Sequence, residues 1–363
     1  MNLEIKTNVC SVENLYRAMY KCKQNVMWKD SVAGFVKNGL PNCVKLHDQL
    51  IDGTYKIDKY TIFDVYEPKQ RKIVSTRIKD RVFQRSLCDN YLTKEITRSF
   101  IYDNVACQVG KGTKFARDRL KCHLQRFYRK HGLAGYVLKC DLKNFFRSTP
   151  HSVAIAAVRK RVRDPWAVSE VERIIRSFND GDDPDVGMGL GSQVTQLVEL
   201  AVLDDLDHFI KEQLRIKQYE RYNDDFLLIH ESKEYLFYCR ERIRERLADI
   251  GLRFSPKKTQ IFPITQPIRF LGFSFRLTRT GKVVQLLLPE KVSHERRKLR
   301  RLYGLVIRGL LARKDFDDCV VAWEGHARQG DSYNLIRKMK EYIKNLWEGY
   351  DNVQFSVSKR ATA

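Results

Sequence analysis

Between residues 11 and 55 apolar positions recur at helical spacing, with Leu15 and Met19 followed by Val32, Phe35, Val36, Leu40, Val44, Leu46 and Leu50. This predicts a helical N-terminal segment that ends near the Asp52-Gly53 turn. From Tyr60 the period shortens: YTIFDVYEP alternates like a strand, KQRK is a basic turn, and RVFQRSLCDNYL returns to helical spacing. GYVLKCDL reads as a buried strand whose apolar run ends on Asp141. Leu197, Leu200, Ala201, Leu203, Leu206, Phe209 and Ile210 predict one helix from about Gln193 to Leu214. After it, QYERY and FLLIH flank a polar Asn-Asp-Asp tip, a hairpin pattern. A helix from about Lys233 to Ile250 should stop at Gly251. Short strands are then expected in LRFSP, TQIFP and IRFLGFSFRLT, closed by the Thr280-Gly281-Lys282 turn. From Lys291 to Lys314 nine Lys or Arg stand against one Glu, threaded by Leu299, Leu302, Leu305, Val306, Leu310 and Leu311, which predicts a basic amphipathic helix.

At 363 residues the chain exceeds the usual single-domain size, so two or three packed subdomains are expected, with no repeat, low-complexity tract or linker between them. Charge changes the picture more. Lys and Arg number 67 against 44 acidic residues, a net charge of +23 that suits a polyanionic partner, with nucleic acid the first candidate. The nine cysteines form no C-x-x-C pair and their number is odd, which argues against a disulfide framework or zinc knuckle and for reduced thiols. The start, MNLEIKTNVCSVENL, lacks a signal-peptide pattern, and no apolar run approaches ~20 residues. A cytoplasmic protein is expected, neither secreted nor membrane-spanning.

Two strand patterns end on carboxylates: Asp141 in VLKCDLKNFF, and Asp224 with Asp225 in RYNDDFLLI. A carboxylate at the end of a buried strand is costly unless its charge is compensated, and an adjacent pair is more so. Mg²⁺ supplies that compensation through hard oxygen ligands, often one or two carboxylates plus substrate phosphates, which suits three aspartates converging from neighbouring strands. In a two-metal site one ion activates an attacking hydroxyl and the other stabilises the leaving group. Asn-Asp is also a common turn dipeptide, so YNDD alone reads equally well as a solvated hairpin tip.

Tyr222-Asn223-Asp224-Asp225 resembles the YxDD box of reverse transcriptases, and KCDLKNFFRS upstream resembles that family's first metal-binding motif. There an Asp is followed five positions later by an aromatic that screens the sugar 2′ position, as Asp141 and Phe146 are here; core packing is the alternative for Phe145 or Phe146. A rigid ring beneath the sugar would clash with a ribose 2′-hydroxyl and admit deoxynucleotides. The likeness runs in the family's order over residues 55 to 345. EPKQRKIVSTRIKDRVFQRSL is similar to the fingers motif, which implies that Lys69 and Arg71 contact the incoming triphosphate and that Arg77 and Arg81 contact primer or template. A solvated basic loop is the alternative. DNVACQVGKGTKFA is similar to a template-contacting segment and implies the same role for Lys111; its Gly-Lys-Gly lacks P-loop spacing, so no ATPase site is read.

GMGLGSQVTQL resembles the motif against the templating base pair, which places Leu190, Gly191 and Gln196, with Leu142 from the first motif, at the nucleotide. Gly191 permits close backbone approach, and Thr195 and Gln196 begin the helix behind the pocket. LRFSPKKTQI resembles the motif whose lysine protonates the pyrophosphate, a role that falls to Lys258 ahead of Lys257. IRFLGFSF resembles the primer-gripping hairpin, with Phe270, Leu271 and Gly272 beneath the primer end and Tyr222 also on primer or template. The basic helix bearing Arg296, Arg297, Arg300 and Arg301 takes the place of the thumb and tracks duplex phosphates; a coiled-coil partner helix is its alternative.

The resemblance implies an α+β fold of right-hand polymerase architecture: an N-terminal helical extension over 1–55, fingers over 56–135, a palm over 136–285 with an antiparallel sheet carrying the YxDD hairpin, and a basic helical thumb and tail over 286–363. It implies two Mg²⁺ ions, with Mn²⁺ as a substitute, an RNA template, a DNA or RNA primer, and dNTPs. A noncoding RNA or a small accessory protein are further candidate partners, and no membrane is implied. Among bacterial reverse transcriptases of the group II intron-like superfamily, Leu190-Gly191 followed by Thr195-Gln196 resembles diversity-generating retroelement enzymes, whose pattern is an apolar residue and GxxxSQ. Group II intron and retroviral-type enzymes usually show QGxxxSP. Thr195 for Ser is a departure. VAWEGHARQGDSYNLIRKM also resembles the end of retroelement enzymes, and no HNH-like endonuclease, RNase H or protease pattern follows it. Error-prone RNA-directed DNA synthesis in a prokaryotic or phage-encoded retroelement is the expected function. An antiviral defence reverse transcriptase, making templated or untemplated DNA, is the alternative within the class; a non-catalytic RNA-binding splicing helper is the alternative outside it, and the three aspartates speak against that one.

Overall fold

The computed structural model describes residues 3–66, 70–178, 183–189 and 191–361; Lys69 and Leu190 lie outside the described residues, as does the side chain of Arg71. The strands are β1 (Thr61–Val65), β2 (Arg71–Ser75), β3 (Tyr136–Asp141), β4 (Gln218–Tyr222), β5 (Asp225–His230), β6 (Gln260–Pro263), β7 (Ile268–Phe270), β8 (Phe273–Leu277) and β9 (Val283–Leu287). The chain forms two compact units, Met1–Ala116 with Tyr136–Ile261 and Arg117–Gly135 with Phe262–Ala363. Among the described residues no helix is long and apolar enough to cross a membrane.

The first unit opens with helices Leu3–Cys10, Val12–Cys22, Asp30–Lys37 and Gly39–Ile51. Ser11 caps the second, its hydroxyl accepting from Asn14 N at 3.3 Å, and the fourth gives way at Gly53, whose φ of 73° suits glycine. The helical expectation holds but its inward face differs. Leu46 and Leu50 are buried with Cys43, whereas Leu40 is 54% and Val44 40% exposed. Cys43, small and easily overlooked as an apolar residue, takes the inward position one turn before Leu46. β1 and β2 form an antiparallel hairpin from Thr61↔Ser75 to Val65↔Arg71. The alternation of β1 buries nothing, because all five of its residues are exposed.

The sheet runs β4-β5-β3-β6, and the first two residues of β6 belong to this unit. β3 pairs antiparallel with β5 from Tyr136↔His230 to Asp141↔Asp225, and β4 pairs with β5 from Gln218↔Ile229 to Tyr222↔Asp225. Helix Lys233–Asp249 packs on β3 and β5 through Leu236, Cys239, Ile243 and Leu247, and the chain turns at Gly251 with φ 71°. LRFSP is not a strand; it contributes the single bridge Leu142↔Phe254. The one helix expected over 193–214 is three pieces, Gln193–Val202, Asp204–His208 and a wider-pitched turn at Phe209–Gln213. Leu203 breaks the first from the second with ψ near 3° while staying buried, so side-chain periodicity carries across a backbone interruption it does not report.

The second unit contains the antiparallel sheet β7-β8-β9 and helices Pro289–Ile307, Arg313–Ala327 and Tyr333–Ala361. Leu271 and Gly272 turn β7 into β8 with φ of 45° and 84°, the left-handed pair that a two-residue hairpin favours. β9 was not anticipated, because its alternation is inverted: Gln285 points inward and Leu286 is 46% exposed. The backbone and Nε2 of Gln285 are met by the chain after Ala327, while its Oε1 is buried without a partner. Its N–H donates to Asp331 Oδ2 at 2.8 Å, its Nε2 to Gln329 O at 2.9 Å, and its carbonyl accepts from Asp331 N at 2.7 Å. The single basic helix expected over 291–314 stops at Ile307, and Gly309 with φ 70° lies in the break.

Gly330 sits against this docking strand, where an added Cβ would lie 2.7 Å from Gln285 O and 3.1 Å from the Phe273 ring. Gly330→Ala should therefore destabilise the second unit by about 2 kcal/mol through overpacking, read as a lower denaturation midpoint. An unchanged midpoint would show that the Gln285–Asp331 junction does not hold this unit together.

Candidate functional site

The β3–β5 register puts Asp141, the last residue of β3, opposite Asp225, the first of β5. Carboxylates facing each other on a ladder repel unless cations intervene. Two lysines do so here. Lys258 Nζ lies 2.7 and 2.8 Å from the two oxygens of Asp141, and Lys139 Nζ, diagonal on the ladder, lies 3.2 Å from Asp225 Oδ2. Lys257 makes no such contact. Burial pushes the Asp225 carboxyl up to about 6; Lys139 opposes this, and the charges of Asp141 and Asp224 add to it. Asp225 Oδ1 is buried with no hydrogen-bond partner.

Among the described residues no three His, Cys, Asp or Glu side chains gather closely enough to cage a metal ion by themselves. The expected convergence of three aspartates is thus, in this structure, a facing pair with Asp224 beside it at the turn. That donor set still fits Mg²⁺, which takes one or two carboxylates and completes its shell with water and substrate phosphates. The orphaned Asp225 Oδ1 and the ammonium across Asp141 mark where positive charge is wanted. Asp141, Asp225 and Asp224 would hold the ions.

Sequence reasoning missed Lys139 and Glu199. Lys139 lies two residues before Asp141, hence on the same face of β3, a signal visible once the register is known. Glu199, on helix Gln193–Val202, accepts from Thr149 Oγ1 at 3.2 Å, has one oxygen unpartnered, and is held well above the usual carboxylate range by burial and by the charge of Asp224. No sequence pattern announces it.

Of the two aromatics, Phe145 is core and Phe146 is half-buried, so Phe146 remains the one able to present a face. Leu142 is buried and can offer only its backbone. Gly191, with φ 146°, comes within 3.4 Å of Val74 O at its Cβ position, and Thr195 is buried with its hydroxyl on Gly189 O at 2.8 Å. Arg81, Gly191 and Gln196 line one groove of about 780 Å³ together with Gln84 and Cys107. Cys107 Sγ lies within 4 Å of the side-chain oxygens of Gln196 and Asn223, which joins this groove to the YNDD turn. Arg77 is not brought here. It lines a separate cleft of about 650 Å³ with Lys45, Lys59 and Lys79. Lys111 is turned into its own loop, donating to Tyr102 O at 2.9 Å and Asn104 O at 3.0 Å. Tyr222 closes β4 opposite Asp225.

In the second unit Phe270 is buried, while Leu271 and Gly272, which form the β7–β8 turn, are half-buried. Arg296, Arg297, Arg300 and Arg301 lie exposed on helix Pro289–Ile307, whose opposite face buries Leu299.

The raised Asp225 carboxyl has a stability consequence. Between its unfolded value of 3.8 and about 6 the folded chain keeps a proton that the unfolded chain has lost, so stability falls as pH rises through that window. The Asp225→Asn variant does not titrate there. Without divalent metal it should match the parent near pH 4 and exceed it by at most about 3 kcal/mol above pH 6.5, measured by chemical denaturation. A variant less stable than the parent at pH 7.5 would contradict this electrostatic account.

The family described as Reverse transcriptase (RNA-dependent DNA polymerase) matches residues 64–275, more than half of the chain. No curated protein sequence matches it. Among solved structures, apo telomerase from Candida tropicalis is similar at 13% identity and a TM-score of 0.48, over 63% of this chain and 49% of that one. The same telomerase truncated from its C-terminal domain gives 12% and 0.47 over 62% and 55%, and Candida albicans telomerase with a TWJ fragment of telomeric RNA gives 11% and 0.47 over 76% and 58%. The chain thus spans about half the length of these structures. The mixed helices and antiparallel sheet are consistent with a right-hand polymerase architecture. Because the family match runs from the end of β1 into β8 and takes in both acidic strand ends, the chain belongs to the reverse transcriptase family, the RNA-dependent DNA polymerases.

Proposed function

We propose that this chain is an RNA-directed DNA polymerase that extends a DNA or RNA primer with dNTPs on an RNA template at the facing carboxylates of β3 and β5. The observation that carries this reading is the Asp141↔Asp225 register, with Asp225 Oδ1 buried and unpartnered. Two Mg²⁺ ions, or Mn²⁺ in their place, would activate the primer 3′-hydroxyl there and stabilise the leaving pyrophosphate. Lys258, released from Asp141, is then placed to give a proton to the pyrophosphate. Phe146 screens the sugar 2′ position. Lys69, Arg71 and Arg81 hold the triphosphate and template side, while Phe270 to Gly272 and the four exposed arginines hold the primer and the duplex backbone by phosphate contacts.

The same reading extends to error-prone copying in a diversity-generating retroelement. Its support is Leu190 ahead of Gly191, an apolar residue where accurate relatives carry a glutamine that hydrogen-bonds the incoming nucleotide. An apolar side chain offers shape without a polar check, and discrimination that rests on buried polar groups is lost with them.

Copying one defined RNA with the unmodified protein and with Leu190→Gln, then sequencing the products deeply, tests both levels. The unmodified protein should make complementary DNA that depends on Mg²⁺, with errors chiefly opposite template adenine. Leu190→Gln should lower the error frequency several-fold, about 1 kcal/mol of regained discrimination. No templated DNA would overturn the polymerase reading; errors as rare as those of an ordinary reverse transcriptase would overturn the diversification reading alone.

A further inference from the structure

Arg221 of β4 and Asp207 of helix Asp204–His208 form an ion pair with neither side chain exposed. Nε and Nη2 of Arg221 reach the two oxygens of Asp207 at 2.7 and 2.6 Å, and the Tyr219 hydroxyl donates to the same carboxylate. A buried ion pair is weak evidence for stability, since well-packed apolar residues of similar volume often serve as well or better. The remaining donors show a different use. Nη1 donates to Asn223 O at 3.1 Å and Nη2 to Leu200 O at 3.1 Å. One side chain thus ties the turn that carries Asp224 to the helix that carries Gln196 and Glu199.

The turn needs such a tie. Asn223 has a φ of 54°, a left-handed conformation that asparagine tolerates better than most residues but that still favours a turn held from outside. The backbone of Arg221 is fixed as well, its N–H donating to Asp103 O and its carbonyl accepting from Val105 N, both at 2.9 Å. The guanidinium therefore projects from an anchored point. Only a planar fork with donors on three nitrogens can span Asp207, Leu200 O and Asn223 O at once; a lysine ammonium at the end of a flexible stem cannot.

We propose that Arg221, held by Asp207, is a positioning residue for nucleotidyl transfer: it sets the Asn223–Asp225 turn relative to helix Gln193–Val202. This rests on the reading of Asp224 and Asp225 as metal carboxylates. A misplacement of that turn by a fraction of an ångström lowers the rate of the chemical step and leaves nucleotide binding by the rest of the site intact.

The test is primer extension on RNA by the full chain, with kcat and the dNTP KM measured separately, for Arg221→Met/Asp207→Leu, Arg221→Lys and Asp225→Asn. The double variant removes both buried charges together, so it should unfold near the parent temperature. Its kcat should nonetheless fall roughly 100-fold, with KM within a few-fold of the parent. A folded double variant with parental kcat would overturn the proposal and leave the pair a structural one. Should the double variant not fold, Arg221→Lys decides: a folded lysine variant is expected to lose at least tenfold in kcat, and parental kcat would overturn the proposal. Asp225→Asn separates the two readings. If it is inactive while the arginine variants are fully active, positioning alone fails; if it too is active, the metal reading fails.

Discussion

Two carboxylates face each other across an antiparallel ladder, and the chain spends two lysines, a buried helix and a left-handed turn to keep them there. Side chains directly opposite on neighbouring strands stand about 5 Å apart, close enough for like charges to oppose pairing. The apolar run of β3 and that of β5 nonetheless fix the register, because a slip of one residue would turn Leu138, Cys140, Phe226 and Leu228, which share one face, out of the core they join. Core burial thus sets the distance between Asp141 and Asp225. What remains is an electrostatic deficit that Lys258 and Lys139 lessen and that Asp225 Oδ1 retains.

The surroundings follow from that deficit. A lysine that bridges both oxygens of Asp141 occupies the place of a cation, and on the proposed reading it would serve as proton donor once the site is filled. Glu199, buried and lifted in pKa, lies within electrostatic reach of Asp224 and adds no further negative charge while it keeps its proton. The groove of Arg81, Gly191 and Gln196 meets the turn through Cys107 and Asn223, which puts it beside the turn that carries Asp224 within one compact unit.

Much of this was legible in the sequence because it depends on local pattern. Apolar runs bounded by acidic residues mark β3 and β5, the hairpin pattern around the polar Asn-Asp-Asp tip marks β4, and the family motifs name Asp141, Asp224, Asp225 and Lys258 before any geometry. What escaped depends on tertiary register or on polar burial. Lys139 matters only because β5 lies beside it. Gln285 hides β9, since a glutamine at an inward position reads as solvent-facing until Asp331 is found against it. Leu40 and Val44 fit the helical period yet face outward, because periodicity gives a stripe but not which edge of it is covered. Arg77 and Arg81 share one motif and stand four residues apart, yet they line different clefts, a separation that charge patterning cannot register.

The central claim is that the facing carboxylates exist to hold the cations of DNA synthesis. It is tested most directly by RNA-templated primer extension with Asp225→Asn at saturating dNTP and Mg²⁺, alongside RNA affinity. Loss of one metal-binding carboxylate removes several kcal/mol of transition-state stabilisation, so the rate should fall by roughly 1,000-fold or more while RNA affinity stays unchanged. A rate within tenfold of the parent would contradict it.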